Sequence, residues 1–168
     1  MKLTITIIAL TSCLAFSNCT TNGNGTSGSN SQTDTIVNIL AIANKPIEGA
    51  TNQLGKPDSV INTNTIVKIN PAGTPNETVP SEVAYYKNKK FIITYINKLA
   101  WHININNPKN LLMSEYMITS LGLPHTNPTI LGTSYISWQE LDGFEEITFS
   151  SSDSSSVDNI YIRVNQKR

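Results

Sequence analysis

Alternation of apolar and polar positions dominates the chain from about residue 59 onward. Leu99, Trp101, Ile103 and Ile105 alternate with Ala100, His102 and Asn104, the period-two pattern of a strand with one buried face. In that register a slip of one residue would expose the Trp and both Ile. Ile160, Ile162 and Val164 face one way, with Tyr161 and Arg163 opposite, in a strand over residues 157–164. Further strand-like runs cover residues 59–70, 82–86, 91–96, 135–139 and 144–150. Lys87-Asn88-Lys89-Lys90, Asn97-Lys98 and Asp142-Gly143 supply turns between them, and short turns between successive strands give antiparallel meanders. Pro71, Gly73, Pro75 and Pro80 mark residues 71–81 as a loop.

Helical spacing occurs elsewhere. Residues 36, 39, 40 and 43 fit one face of a helix over residues 35–43. Pro46 suits the first turn of a second helix, with Glu48 placed well for its dipole. A third helical run covers residues 111–121, with Leu112, Met113, Tyr116, Met117 and Leu121 apolar. The second and third runs end alike, in Leu54-Gly55-Lys56-Pro57 and Leu121-Gly122-Leu123-Pro124. There Gly can take the left-handed cap and Pro cannot continue the helix. Strand patterns follow both copies. The expectation is an α+β fold of two tandem units, residues 35–107 and 108–168. Each would be a helix or helix pair followed by a three- to four-stranded antiparallel sheet, the two leaving a concave sheet surface between them.

The first residues change the picture from fold to address. Lys2 precedes an apolar run over residues 3–16, too short for a convincing membrane span. A basic start, an apolar centre and then small or polar residues make residues 1–18 a secretory signal. Cys13 and Cys19 fall in or just after it. The segment resembles a bacterial lipoprotein signal, in which one Cys becomes the lipidated first residue. Cys19 gives a normal leader length and abuts a linker, whereas Leu10-Thr11-Ser12-Cys13 is nearer the usual lipobox; both stay open, with Cys19 preferred. Residues 19–34, rich in Thr, Asn, Gly and Ser, have nothing apolar to bury beyond Cys19 and form a flexible polar tether. Cleavage at Cys19 leaves no second Cys for a disulfide within the mature chain.

Leader, tether, a helical pair ending in Leu54-Gly55-Lys56-Pro57-Asp58 and a small antiparallel sheet together resemble the SmpA/OmlA (BamE-like) small outer-membrane lipoproteins. The repeated unit resembles the β-lactamase-inhibitor-protein fold. The resemblance implies lipid anchoring in the bacterial envelope, with the domain on the periplasmic side of the outer membrane. No functional residue beyond the lipidated Cys carries over.

Charge and chemistry narrow the function further. Lys and Arg number 12, as do Asp and Glu, so there is no electrostatic footprint for nucleic acid. Lys87, Lys89 and Lys90 cluster at a hairpin turn, where solvated lysines are ordinary. His102 and His125 have no further ligands at local metal-site spacing. Glu145 and Glu146 are adjacent and in a strand point to opposite faces, so they form no acid–base pair. Asp153 and Asp158 flank the Ser151 to Ser156 stretch, which lacks a calcium-loop pattern. No G-x-S-x-G elbow and no glycine-rich phosphate loop occur. No cofactor, metal or catalytic residue is therefore assigned, and the expectation is a non-enzymatic protein. The aromatics remain: Tyr85, Tyr86, Trp101 and Trp138 are the candidate binding residues, for a surface that meets a protein. The expected function is a membrane-tethered envelope lipoprotein acting as a protein-binding or assembly module. The alternative is an inhibitor or immunity-type protein that binds a secreted enzyme or toxin through the concave sheet.

Overall fold

The computed structural model describes residues 34–166, so Cys13, Cys19 and all but the last residue of the tether lie outside the described residues. The eight strands among the described residues join one antiparallel sheet in the order β1-β2-β3-β4-β8-β7-β6-β5. They are β1 (Ser59–Lys68), β2 (Glu77–Tyr86), β3 (Phe91–Ile96), β4 (Leu99–Asn106), β5 (Ile130–Leu131), β6 (Tyr135–Gln139), β7 (Phe144–Ser150) and β8 (Asn159–Val164). Strands β1 to β4 form one meander and β5 to β8 another. Their last strands pair with each other, setting Ile103 opposite Ile162 and Ile105 opposite Ile160.

The expectation of two tandem helix-plus-sheet α+β units is thereby corrected. The sheet is continuous, and among the described residues α1 (Ile47–Leu54) is the one α-helix. The helical spacing in residues 35–43 yields only a 3-10 turn, Ile39–Ala41, although Val37, Ile39 and Ile42 are buried as the pattern requires. In residues 111–121 the helix is lost to a competing interaction. Met113 N–H donates to Ser155 C=O, Val157 N–H donates to Leu111 C=O, and Leu112 bridges Ser156. A backbone already hydrogen-bonded sideways cannot also close i to i−4 bonds. Only Met117–Leu121 turns, as a 3-10 helix.

The two glycines do both follow helical turns at positive φ. Gly55 caps α1 at φ 89, its N–H donating to Thr51 C=O. Gly122 follows the 3-10 turn at φ 73, where a Cβ would stand 3.3 Å from the Asn38 Cα. What they cap is unlike, an α-helix in one case and a five-residue 3-10 turn in the other.

The core lies on one face of the sheet. Ala84, Tyr86, Ile93, Ile103, Ile147, Phe149 and Ile162 pack in a single cluster with Ile39, Ile42, Ala50, Leu54, Met117, Ile118 and Leu121. The short helical segments thus form a partial second layer. Asn44 and Lys45 extend it into the sheet, bonding both backbone groups of Ala100.

Beyond the core face the strands differ from expectation at three places. Proline does not keep residues 77–81 in a loop: Pro80 sits in β2 opposite Asn64. β5 is a short strand that alternation over two residues could not signal. Last, β4 is interrupted. Thr94 pairs with His102 but Tyr95 with Ala100, leaving Trp101 as an extra residue. Such a bulge moves the alternation by one. Ala100, not Trp101, therefore joins Ile103 and Ile105 in the core, while Leu99 and Trp101 are only half-buried.

Candidate functional site

The face of the sheet opposite the core carries a polar and aromatic surface. One row across it runs Thr94, His102, Arg163, Glu146, Gln139, and the next runs Ile92, Asn104, Tyr161, Thr148, Ser137. Two bulges concentrate chemistry in the first row. At Trp101 the bulge turns two consecutive side chains to one side, and the Trp101 and His102 rings stack with centroids 3.7 Å apart. A second bulge at Glu145, between the pairs Phe144–Val164 and Glu146–Arg163, does the same for the adjacent carboxylates. Glu145 Oε2 lies 3.0 Å from Arg163 Nε and Glu146 Oε2 lies 3.5 Å from Arg163 Nη2. The expectation that Glu145 and Glu146 point to opposite faces is corrected: both face Arg163.

Hydrogen bonds fix this surface. Tyr161 OH is 3.1 Å from His102 Nε2. Thr148 Oγ1 is 2.9 Å from Glu146 Oε1 and 3.0 Å from Ser137 Oγ. Asn159 Nδ2 donates to Asn106 Oδ1 at 2.8 Å, tying β8 to β4. Burial first, and then the Arg163 charge, lowers the His102 pKa to about 4, so the imidazole is neutral near pH 7. Burial raises the Tyr161 pKa, which keeps its phenol protonated beside that imidazole.

The surface is a trough rather than a plane. The long β1–β2 hairpin carries Val67, Glu77 and Val79 to the same cavity as Ile96, Trp101 and Glu145, with a volume of about 340 Å³. That is the scale of a pocket for one or two side chains; Asn97, Asn165 and Gln166 join the two glutamates on its walls, so its lining is more polar than apolar. Its charged lining is Glu77 and Glu145: Lys68 stands opposite Glu77 across the β1–β2 hairpin, and Glu145 and Glu146 both contact Arg163. A wider depression of about 850 Å³ lies between residues 40–44 and the β6–β7 turn. Its lining is mainly loop, without the aromatic pair.

The four candidate aromatics separate. Tyr85 and Trp101 are half-buried on the open face. Tyr86 and Trp138 are in the core: the Tyr86 OH lies 3.4 Å from the Tyr95 OH, and Trp138 Nε1 donates to Thr126 C=O at 2.7 Å. His125 is exposed, stacked on Tyr116 at 4.4 Å. Asp153 Oδ1 accepts from the Ser155 and Ser156 N–H groups and from Ser151 Oγ, which holds its carboxyl well below the usual range. Asp158 Oδ2 accepts from Ser152 N–H. The two aspartates thus shape the serine loop. Among the described residues no three His, Cys, Asp or Glu are grouped to hold a metal. Lys87 and Lys90 reach over the Phe91 ring, and Lys89 over Tyr85.

His102, Tyr161, Arg163 and the Glu pair are what sequence reasoning missed as a site. The signal was present for one bulge: Phe144 and Ile147 are both core, three apart, with two glutamates between, which strict alternation forbids. A pH test follows from the geometry. Unfolded, His102 takes a proton near pH 6.5; folded, it resists until about 4. Between those values the unfolded chain binds the extra proton, so stability falls as the pH drops through this window and is full above it. Discounted for partial exposure, the loss by pH 4.5 is about 2 kcal/mol. Urea midpoints at pH 7.5 and 4.5 should show a smaller difference in His102→Gln; equal differences in the two proteins would refute this.

The chain matches no family model, no curated protein and no solved structure.

Proposed function

We propose that this is a non-enzymatic, membrane-tethered lipoprotein of the bacterial envelope that binds a protein partner through the trough on the open face. The observation that carries the reading is the trough itself. Trp101 is held by stacking on His102, and the neighbouring polar side chains are fixed by hydrogen bonds and ion pairs. Such a surface loses little conformational entropy on binding. A half-exposed aromatic within a polar rim is the usual composition of an anchor point for protein recognition. The two carboxylates that line the trough suit a partner that presents a basic side chain, which would lie over the Trp101 ring with Glu77 or Glu145 as counter-ion. Anchoring rests on the leader, on Cys19 (or Cys13) and on the tether, the same features that give the resemblance to the SmpA/OmlA lipoproteins.

The test is site-specific photo-crosslinking in the native envelope. A photoreactive residue at Thr94 or Glu77 should yield one defined protein adduct, reduced at least tenfold by Trp101→Ala. The same residue at the exposed Gln53 on α1 should yield none. Equal adducts from all three positions, or none from the trough, would dismiss the partner surface. Intact mass of the mature protein tests the anchor separately, with an acylated N-terminal Cys19 expected and an unmodified N-terminus elsewhere contradicting it.

A further inference from the structure

The two edges of the sheet are treated differently. β5 is two residues long and flanked by Pro128 and Gly132, so that edge offers almost nothing to pair with. β1 is ten residues long, pairs among the described residues only with β2, and is exposed along nearly its whole length, with Val60, Ile61 and Ile66 about half exposed. One side of its backbone therefore presents unpaired N–H and C=O groups. The usual protections of an edge are a charge, a proline or a bulge. Here the charge is Lys68 and the bulge lies between Ile66 and Lys68, both at the very end. Ser59 to Ile66 carries none of the three.

The sequence of β1 is complementary to itself. A two-fold axis through the sheet at Thr63 sets Thr63 opposite Thr63, Asn62 opposite Asn64, Ile61 opposite Thr65 and Val60 opposite Ile66. Each pair is of one kind, apolar beside apolar or β-branched, amide beside amide, and a two-fold seam requires that residues of like face meet. The charges that bracket the strand, Asp58 and Lys68, come together at each end of the seam, acid beside base. A register centred one residue later would set Val60 against Lys68 and Asn62 against Ile66, which matches worse.

We infer that β1 is the docking edge for a second copy of this chain, antiparallel and centred on Thr63, so that two eight-stranded sheets continue as one. Ser59, Ile61, Thr63 and Thr65 pair with Tyr85, Val83, Ser81 and Val79 on the trough side of β2. The seam therefore joins the two troughs into one continuous surface. One strand pair buries an area at the small end of specific interfaces, the range of weak and transient complexes.

The register predicts its own rescue. In sedimentation equilibrium of the purified mature chain, wild type should show a monomer–dimer equilibrium. Asn62→Lys with Asn64→Lys puts lysine against lysine and should weaken the dimer at least tenfold. Asn62→Lys with Asn64→Asp puts lysine against aspartate and should restore it. Both positions are exposed in the monomer, so all three proteins should melt within a few degrees of one another. A wild type that stays monomeric to millimolar concentration overturns the inference, including the case where β1 accepts a strand from a different protein. Equal dimerisation of the two double variants overturns the register.

Discussion

Ile162→Asp should abolish the fold of the whole sheet, not of its second half alone. Ile162 has no exposed surface and lies between Ile103 of β4 and Ile147 of β7. A carboxylate there has no partner among its neighbours, and burying an unpaired charge costs more than about 4 kcal/mol. That is a large share of the 5–15 kcal/mol that holds a typical domain together. Because β8 is the bridge between the meanders, amide signals of β2 and β3 should collapse together with those of β6 and β7. The same aspartate at Ile61, on the exposed edge, should cost less than about 1 kcal/mol. Native amide signals persisting in β1 to β3 of the Ile162 variant would show that the halves fold apart.

Trp138→Ala is expected to be the most destabilising truncation. The side chain is almost fully buried, meets Phe149 edge-to-face at 5.6 Å, and satisfies the Thr126 carbonyl. Removing it leaves a cavity and an unpaired acceptor, at a cost of about 3–5 kcal/mol, or a melting point lower by about 10–20 °C. Trp138→Phe should recover part of this through packing. Trp101→Ala, by contrast, should lower the melting point by only a few degrees, since the ring is half-exposed, and should act on partner capture instead. Thermal unfolding followed by circular dichroism separates the two tryptophans; equal losses would mean that their environments have been misassigned.

This contrast shows what the sequence could reveal. Period-two alternation located β3 and β8 closely, because each has one face in the core and one largely in the open. The bounds of β6 and β7 were also found, although Ser137 is buried between Ile136 and Trp138 and the Glu145 bulge breaks the alternation of β7. It failed at β4 because Leu99, Trp101, Ile103 and Ile105 alternate faultlessly while the strand carries an extra residue. Ala100 is too small to announce itself as the true core position. Repetition of Leu-Gly-x-Pro correctly marked two helical stops. It did not signal that residues 111–113 are taken by the serine loop, a contact more than 40 residues away in sequence. Nor does a local pattern reveal that β4 and β8, the last strands of each meander, pair with each other; that follows from how the two apolar faces combine into one core. The site was legible in part. Tyr85 and Trp101 lie on the open face, Tyr86 and Trp138 do not, and the His102–Arg163–Glu146 row depends on pairings distant in sequence.

The pairing of β4 with β8 is the claim on which the continuous sheet, the core and the trough all rest. Cross-strand nuclear Overhauser contacts in the full mature chain test it directly. Contacts are expected between Ile103 and Ile162, Ile105 and Ile160, and Asn104 and Tyr161, with slowly exchanging amides along both strands. Absence of these contacts, with β4 amides exchanging as fast as those on the open edge of β1, would contradict it.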